Sequence, residues 1–416
     1  MTFNTGVRSG EGLTLSNEGV MEKSTTAMRK ATEGDDLLGY IYPHLPMELF
    51  LAHGLTPTLL RAAPGVTSGF ESSLQTFACS YVRNLFSLRS DEMLEHLMGV
   101  VFPSNTCDSL QNLADVWSFR FPEDRVLRLT YPASRGGHPE AAIEYFAEEL
   151  RHLSKTIETV FSRPFVAEQF DRAVELIIAF RQASQTLYAS RVISPSVISY
   201  NEMTGLIREF LTIPSPSTVR PVQDAANKVR MAEGVSEQTE HLEAVKQALT
   251  SGNLSGIDKH IPLDDDGPRL LIAGGMIEPQ SISALFDGAS GVTDSTIILD
   301  LLSFGFKSVF AKPVAPQDDI FVGFAESILS APGEPTQEGV RERIEFLCTL
   351  IDKLSIDGVI ICEQSFCDPD QFEAPSIEKA VSAMGVRSVR LPIDPELSDR
   401  ARLEGRIQSF VESLED

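Results

Sequence analysis

Long apolar runs are missing from this sequence. Its longer apolar stretches, such as 176–180 and 359–362, are soon interrupted by charged or turn-forming residues. Neither approaches the roughly 20 residues of a membrane span. The start of the chain also lacks the basic segment followed by an apolar core that marks a secretory signal. We therefore expect a soluble, cytoplasmic protein.

Positive charge is scarce as well. The chain has 35 Lys and Arg residues against 59 Asp and Glu residues, which gives a formal net charge of -24 at pH 7. Such a surface repels the phosphates of nucleic acids and the anionic headgroups of membranes, so neither is an expected partner. Docking would instead favour a protein that carries a basic face.

Cysteine is infrequent, and its spacing excludes two common uses. Five cysteines, an odd number in a sequence without an export signal, argue against a disulfide framework and for a reducing compartment. The sequence has no Cys-x-x-Cys pair, and no histidine lies close to Cys79, Cys107 or Cys367, which disfavours a structural zinc site. Thiolate chemistry and plain buried thiols both remain open.

Two nucleotide-binding signatures are absent. The turn after residues 269–273 carries only Gly274 and Gly275 and falls short of the Gly-x-Gly-x-x-Gly fingerprint, so close packing of a strand against a helix explains the pair better. No Gly-x-x-x-x-Gly-Lys-[Ser/Thr] segment is present either. We do not expect this chain itself to use ATP.

Short apolar runs alternate with helical patterns along the chain, which predicts the α/β class. Residues 1–35, rich in Gly, Ser, Thr and Glu, are expected to form a flexible N-terminal extension. Residues 36–150 and 263–416 are predicted to form two Rossmann-like domains, each with a parallel sheet. Between them, residues 151–262 are predicted to be a helical region and linker.

Particular segments carry this prediction. Apolar residues spaced three and four apart between 141 and 190 indicate long amphipathic helices, and the stretch 212–266 indicates a polar connection. The predicted strands are 37–42, 98–103 and 126–132 in the first domain, and 269–273, 296–299, 358–362 and 388–391 in the second.

Cys79, Cys107 and Cys367 share a setting of small or polar neighbours, and the last two follow predicted strands. Loops at strand ends commonly collect ligands. Asp108 and Asp368 come directly after Cys107 and Cys367, and their carboxylates are expected to cap the helices that begin there. The same first-turn amides favour thiolate over thiol. Taken alone, three dispersed cysteines are more often buried thiols than metal ligands.

Read together, these loops resemble those of the 2-hydroxyacyl-CoA dehydratase and benzoyl-CoA reductase family. The opening segment Tyr-Pro-His-Leu-Pro-Met-Glu-Leu resembles the family's aromatic and Pro-Glu-Glu-Leu pattern, with Met47 in place of one glutamate. Three cysteine boxes follow in the family's order, and the tail resembles its closing arginine-rich helix. The matching segments are 42–57, 79–83, 100–117, 356–369 and 402–410.

The resemblance implies one 4Fe-4S cluster per chain, held between the α/β domains by Cys79, Cys107 and Cys367, with one iron left open. It further implies radical dehydration of an acyl-CoA thioester: one low-potential electron makes a ketyl radical anion that expels the 2-hydroxyl group. The implied partners are an acyl-CoA substrate, a homologous second subunit in a homo- or heterodimer, and an ATP-dependent iron-sulfur activator that donates the electron.

Three alternatives stay open under the same resemblance. Relatives of the benzoyl-CoA reductase type reduce an aromatic CoA thioester with the same cluster. If Cys362, in the predicted strand 358–362, were a further ligand, relatives with a larger double-cubane cluster would be the better comparison, although a buried strand thiol is the simpler interpretation. A subunit that only relays electrons to its partner is the non-enzyme alternative.

Glu48 is the candidate catalytic residue outside the cysteines. It lies in the family's Pro-Glu-Glu-Leu region, where it would bind the substrate hydroxyl or shuttle protons; a helix first-turn carboxylate is the competing interpretation. His44 and His53 flank it, and we assign a role to neither, since an isolated histidine is more often surface or core. Cys348 lies in an apolar helical pattern and is expected to be a core residue.

Overall fold

The computed structural model describes residues 36–63, 69–133, 139–257, 267–289, 297–314 and 319–415. Within these ranges, two four-stranded parallel sheets are surrounded by helices, which confirms the predicted α/β class with two parallel-sheet domains. The predicted extension 1–35 and the predicted boundary near residue 263 lie outside the described residues. None of the described helices is both long enough and apolar enough to cross a membrane.

The first sheet has the strand order β2-β1-β3-β4 with all strands parallel. Its strands are β1 (Leu37–Tyr40), β2 (Thr56–Leu59), β3 (Gly99–Ser104) and β4 (Val126–Thr130). The central strands β1 and β3 are buried almost throughout, as expected for a parallel sheet covered on both faces, whereas side chains of the edge strand β4 alternate in exposure.

Helices that follow these strands cover the first sheet. They are α1 (Met47–Ala52), α2 (Ser80–Ser90), α3 (Asp108–Arg120) and α4 (Pro139–Phe161). Trp117 of α3 is fully buried, with its ring 5.4 Å from that of Phe102 on β3. Its indole N–H donates to Asp124 Oδ2 at 2.7 Å, so the largest apolar side chain of this core is also hydrogen-bonded.

A helical region follows, and its longest helix passes through the protein interior. The helices are α5 (Ala167–Ile193), α6 (Tyr200–Thr212), α7 (Pro216–Arg230) and α8 (Thr239–Ser251), with short 3₁₀ turns at Pro195–Val197, Ser236–Gln238 and Leu254–Gly256. Nearly all of the C-terminal half of α5 is buried. There the buried Arg191 donates to the carbonyls of Pro195, Ile198 and Ile297, so α5 is joined to the second sheet.

Residues 212–257, the described part of the predicted polar connection, contain α7, α8 and two of the 3₁₀ turns. Ser215 and Thr218 form a capping box, and Pro216 occupies the first helical position of α7, where its missing N–H is not needed. Helix α4 also continues through residue 150, the predicted end of the first domain. The division into domains therefore stays a prediction.

The second sheet repeats the order of the first, as β6-β5-β7-β8, again all parallel. The strands are β5 (Leu270–Ala273), β6 (Ile297–Leu301), β7 (Gly358–Gln364) and β8 (Arg387–Ile393). The helices are α9 (Pro279–Gly288), α10 (Phe306–Val309), α11 (Ile320–Leu329), α12 (Val340–Lys353), α13 (Asp368–Ala383) and α14 (Arg400–Glu415).

The predicted strands are all present with slightly shifted ends, except that residue 296 lies outside the described residues.

The packing interpretation of the glycine pair is also supported. A Cβ atom on Gly274 would lie 2.9 Å from the carbonyl oxygen of Cys362, and one on Gly275 would overlap the Asp370 carboxylate. Both glycines therefore permit a close approach of β5 to β7 and to the start of α13.

Candidate iron-sulfur site

Three helices begin at cysteines. Cys79 is the N-cap of α2, Cys107 the N-cap of α3 and Cys367 the N-cap of α13. The Cys107 sulfur accepts a hydrogen bond from the backbone N–H of Leu110 at 3.5 Å. Each thiol therefore faces the positive end of a helix dipole, which stabilises negative charge on sulfur.

The predicted capping role of Asp108 and Asp368 was wrong by one position. Both aspartates are exposed residues of the first helical turn, and the cysteines before them occupy the cap position. A carboxylate in the first turn still complements the helix dipole. Cysteines, rather than aspartates, therefore occupy the N-cap positions of α3 and α13.

The sheet topology explains why these residues meet. In a sheet of order 2-1-3-4, chain connections leave the two central strands in opposite directions, which opens a crevice at their carboxyl ends. Cys107 follows the central strand β3, and Cys367 follows the central strand β7. The two crevices face each other, since Ser80 N donates to Ser365 O at 3.0 Å and Gln364 Nε2 donates to Ser80 Oγ.

All three cysteines line one cavity of about 880 Å³ between the two sheets. Cys79 is 7% exposed, and the other two are partly exposed. Polar side chains from the second half complete the wall. They are Glu334, Thr336, Gln337, Glu338, Arg343, Gln364, Asp368, Asp370, Glu373 and Ser376.

Cys79 and Cys367 contact each other directly. The hydrogen bond from the Cys367 thiol lowers the pKa of Cys79 despite its burial, and backbone N–H groups of Val82 and Tyr81 act in the same direction. Conversely, the contact with Cys79, together with burial, raises the pKa of Cys367. Of the two thiols, Cys79 is therefore the one that loses its proton more readily.

The thiol of Cys107 has a different pKa shift from that of Cys79. Burial raises the pKa of its thiol to about 12, although the N–H groups of Leu110 and Ser109 oppose the shift. Ionisation of Cys79 would raise the pKa of Cys107 further, so the two sulfurs interact electrostatically. Binding of a cationic centre would lower the pKa of the thiols instead and would favour three thiolates.

Thiols are the metal-binding donors that the three cysteines bring to this cavity. Among the described residues, no group of three or more His, Cys, Asp or Glu side chains is arranged to hold one metal ion. Three thiols around an 880 Å³ cavity nevertheless supply the soft ligands that iron-sulfur clusters require, and a cluster spans more space than an ion. The residues present therefore fit a cluster with three protein ligands.

Glu334 is a cavity residue that the sequence did not reveal. Its fully buried carboxylate lies 3.1 Å from His44 Nε2, accepts from Ser303 Oγ at 2.5 Å and lies 3.4 Å from Lys307 Nζ. Burial acts to raise its pKa, but the charge of Lys307 and the contacts with His44 and Ser303 lower it to about 2. This network joins the loop after β1 to the second half of the protein.

A second cavity of about 670 Å³ adjoins the first and is largely apolar. The two cavities share the wall formed by Pro335, Glu338, Gly339, Arg343, Asp370 and Glu373. Within that wall, Arg343 makes a two-point ion pair with Glu373, at 3.0 and 2.8 Å. The pair is largely buried and holds α12 against α13.

Glu48 lies apart from the cysteine cavity. It is 3% exposed on α1, and burial raises the pKa of its carboxyl, an effect opposed by the charge of Arg181 on α5. Its catalytic role stays a prediction.

His53 is a core histidine whose two ring nitrogens are both hydrogen-bonded. They lie 2.7 Å from the Arg163 carbonyl and 2.8 Å from Ser154 Oγ.

The two remaining cysteines lie away from the three-cysteine cavity. Cys362 is 1% exposed on β7 and lines the second cavity, as a buried strand thiol would. Burial raises the pKa of its thiol. Cys348 is only half-buried at the side of the α12 apolar stripe, so the prediction that it belongs to the core was wrong.

The protein has two parallel sheets, and their crevices share one cavity that is lined by three cysteines. It is therefore a doubly wound α/β protein with a candidate cluster site. Comparison with known families assigns it further. The chain belongs to the family described as 2-hydroxyglutaryl-CoA dehydratase, D-component, whose model matches residues 43–414. The family resemblance noted in the cysteine loops is thereby confirmed.

Individual relatives match over nearly their whole length. The lactoyl-CoA dehydratase subunit beta of Anaerotignum propionicum is 23% identical over 396 residues, covering 92% of this chain and 93% of that protein. The (R)-phenyllactyl-CoA dehydratase beta subunit of Clostridium sporogenes is 19% identical, covering 92% of each. The (R)-2-hydroxyglutaryl-CoA dehydratase subunit beta of Acidaminococcus fermentans is 20% identical, covering 94% and 96%.

Proposed function

We propose that this chain is a 2-hydroxyacyl-CoA dehydratase subunit that binds one 4Fe-4S cluster through Cys79, Cys107 and Cys367. The observation that carries the proposal is the convergence of these three N-cap cysteines on one cavity. The relatives named as dehydratase beta subunits support it. Because these relatives are named as beta subunits, they also support a partner subunit. The five free cysteines are consistent with a reducing cytoplasm.

The protein groups around the cavity would prepare it for the cluster. The N-termini of α2, α3 and α13 direct backbone N–H groups toward the thiolates, which offsets their mutual repulsion. Burial strengthens these interactions, because few water dipoles compete with them. When bound, the cluster would supply an open iron as Lewis acid to a thioester carbonyl and a path for one low-potential electron.

An acyl-CoA thioester is the substrate that we propose for this site. The cavity of about 880 Å³ and its neighbour of about 670 Å³ offer room for an acyl group and part of a flexible arm. This space favours a catalytic subunit over a subunit that only relays electrons. The electron would come from a separate ATP-hydrolysing iron-sulfur activator. A benzoyl-CoA reductase reaction is the second outcome that the substrate assay must distinguish.

Anaerobic reconstitution tests the cluster. We expect four iron and four sulfide per wild-type chain, and substantial loss of bound iron, with altered EPR signals, in Cys79→Ala, Cys107→Ala and Cys367→Ala. Cys348→Ala is the matched control, because its half-buried thiol lies outside the cavity, and it should bind iron as the wild type does. A wild-type chain that stays metal-free after reconstitution would sink the proposal.

The reaction is tested separately with the partner subunit, an activator and ATP. Formation of a 2-enoyl-CoA from a 2-hydroxyacyl-CoA supports the dehydratase, whereas consumption of benzoyl-CoA supports the ring reductase. Glu48→Gln tests the catalytic prediction in the same assay. An unchanged kcat with an unchanged KM would assign Glu48 to the structure of α1 alone.

A further inference from the structure

The turn that leads into Cys367 has a strained backbone. Phe366 has a φ of 61°, in the left-handed region. Across the same turn, Cys367 N donates to Gln364 O at 2.9 Å. Turns with a left-handed third residue ordinarily place glycine or asparagine there, because a bulky side chain at that position crowds its own backbone. Phe366 therefore occupies a position that disfavours phenylalanine.

Backbone groups from both halves of the protein impose this conformation. Ser365 N donates to Ile393 O on β8 at 2.8 Å, and Ser365 O accepts from Ser80 N at the start of α2 at 3.0 Å. Strained residues persist only where the surrounding structure determines their backbone in this way, and they cluster at functional sites. The strain at Phe366 thus indicates a role for this residue beside Cys367.

The loop before Cys107 reaches a similar backbone conformation at lower cost. Asn105 also has a φ of 61°, but asparagine is among the residues that tolerate the left-handed region best. Its side chain supports the loop as well, since Nδ2 donates to the Tyr131 carbonyl at 2.9 Å. Because asparagine would suit the backbone at position 366 better than phenylalanine does, we look for the role of Phe366 in its aromatic ring.

The ring of Phe366 stacks with Arg83 of α2. The guanidinium carbon of Arg83 lies 5.1 Å from the Phe366 ring centroid and 5.3 Å from that of Phe70. Both distances are within the range of cation–π attraction. Arg83 Nη1 also donates to Thr76 O at 2.9 Å. One side chain therefore contacts both the segment that precedes α2 and the turn that precedes α13.

We propose that Arg83 and Phe366 are positioning residues that hold the thiols of Cys79 and Cys367 together across the two halves. Arg83 lies on the helix that Cys79 caps, and Phe366 directly precedes Cys367. Their contact limits how far one cysteine can move from the other, and ligand groups keep their geometry only with such support. We call the pair the Arg83–Phe366 clasp. The inference rests on the proposed function, in which both cysteines bind the cluster.

Cysteine alkylation in the metal-free full chain tests the clasp. The rate of reaction with iodoacetamide is measured at each cysteine by peptide mass spectrometry. Phe366→Asn removes the ring but suits the left-handed backbone. We therefore expect Cys367 to react about tenfold faster, while the urea midpoint of unfolding does not fall. A ring that served only the stability of the fold would not separate these two measurements.

Three further variants identify the contact. Phe366→Tyr keeps the ring and should hold the rate at Cys367 within about twofold of the wild type. Arg83→Gln should match Phe366→Asn, and the double variant should exceed neither by more than about twofold, because the two residues act as a pair. Arg172→Gln is the matched control, since Arg172 is exposed on α5 and its side chain donates to its own helix, and it should change the rate less than about twofold.

Two results would overturn the proposal. One is an unchanged alkylation rate at Cys367 in Phe366→Asn. The other is an equal increase at Cys362, which is 1% exposed on β7 and reports a general loss of structure. If circular dichroism shows that Phe366→Asn is unfolded, Arg83→Gln decides the same question with the same reference thiol.

Iron release separates the clasp from the cluster proposal. After anaerobic reconstitution, we expect Phe366→Asn and Arg83→Gln to lose iron to a chelator about fivefold faster than the wild type, with shifted EPR signals. Release at the wild-type rate would refute the clasp and leave the cluster proposal standing. A wild-type chain that binds no iron would refute the cluster, whereas faster alkylation of Cys367 in the variants would still support the clasp.

Discussion

The two halves of the protein share a scaffold and differ in how they complete the site. Both have a parallel sheet in which the first strand lies between the second and the third, and both place a helix-capping cysteine after the third strand, as Cys107 and Cys367. The first half adds Cys79. The second half instead adds the buried carboxylate of Glu334 and its partners.

This difference separates ligand supply from structural support. The first half provides two of the three thiols and packs its central helix α3 through the aromatic contact of Trp117 with Phe102. The second half provides one thiol and a charge network that reaches back to His44. Repetition of a scaffold therefore does not make the two sides of the site equivalent.

The largest effect on this comparison is expected from Glu334→Ala. The variant removes the carboxylate that pairs with the buried Lys307. The free energy of unfolding should therefore fall by about 3 to 5 kcal/mol. Urea unfolding of the metal-free chain, followed by circular dichroism, measures the loss. Glu338→Ala is the control, because Glu338 is exposed, and it should change stability by less than about 0.5 kcal/mol.

The pH dependence of stability gives a sharper test of the same carboxylate. Its folded pKa of about 2 lies below the ordinary value of 4.5. Its stabilising contribution is therefore complete above the unfolded pKa and is lost as the pH falls toward 2. Between about pH 5 and pH 3, the wild type should lose roughly 2 kcal/mol more than Glu334→Gln. Parallel stability curves would show that Glu334 is not preferentially ionised in the folded state.

A smaller effect is expected in the first half from Trp117→Phe. The variant removes the indole N–H that donates to Asp124, but Arg89 still pairs with that carboxylate at 2.8 Å. A loss of about 1 to 2 kcal/mol is expected from urea unfolding followed by circular dichroism. Phe119→Leu, an exposed change on the same helix, serves as control. A loss as large as that of Glu334→Ala would break the contrast between the halves.

The sheets were predictable wherever strands are continuous apolar runs. Strand β2 was missed because Thr56-Pro57-Thr58-Leu59 looks like a turn. Proline is tolerated there because β2 is an edge strand, where a missing N–H need not break the ladder. A pattern read along one chain segment does not show whether that segment will lie at an edge.

The candidate site was predictable only in part. Cys107 and Cys367 stand out because each follows an apolar strand and precedes a helix. The network around Glu334 gave no such signal, since His44 and Glu334 are separated by 290 positions along the chain. Long-range contacts of this kind depend on how the two sheets face each other, which local sequence patterns do not encode.

The distribution of the three cysteines has a consequence for biosynthesis. Cys79 and Cys107 emerge from the ribosome early, whereas Cys367 follows β7 and comes after the entire helical region. The three-thiol cavity therefore exists only once both sheets have been translated and have docked. Any cofactor that needs all three sulfurs must be loaded after Cys367 has been translated, and its retention would report that both halves of the chain have reached their final arrangement.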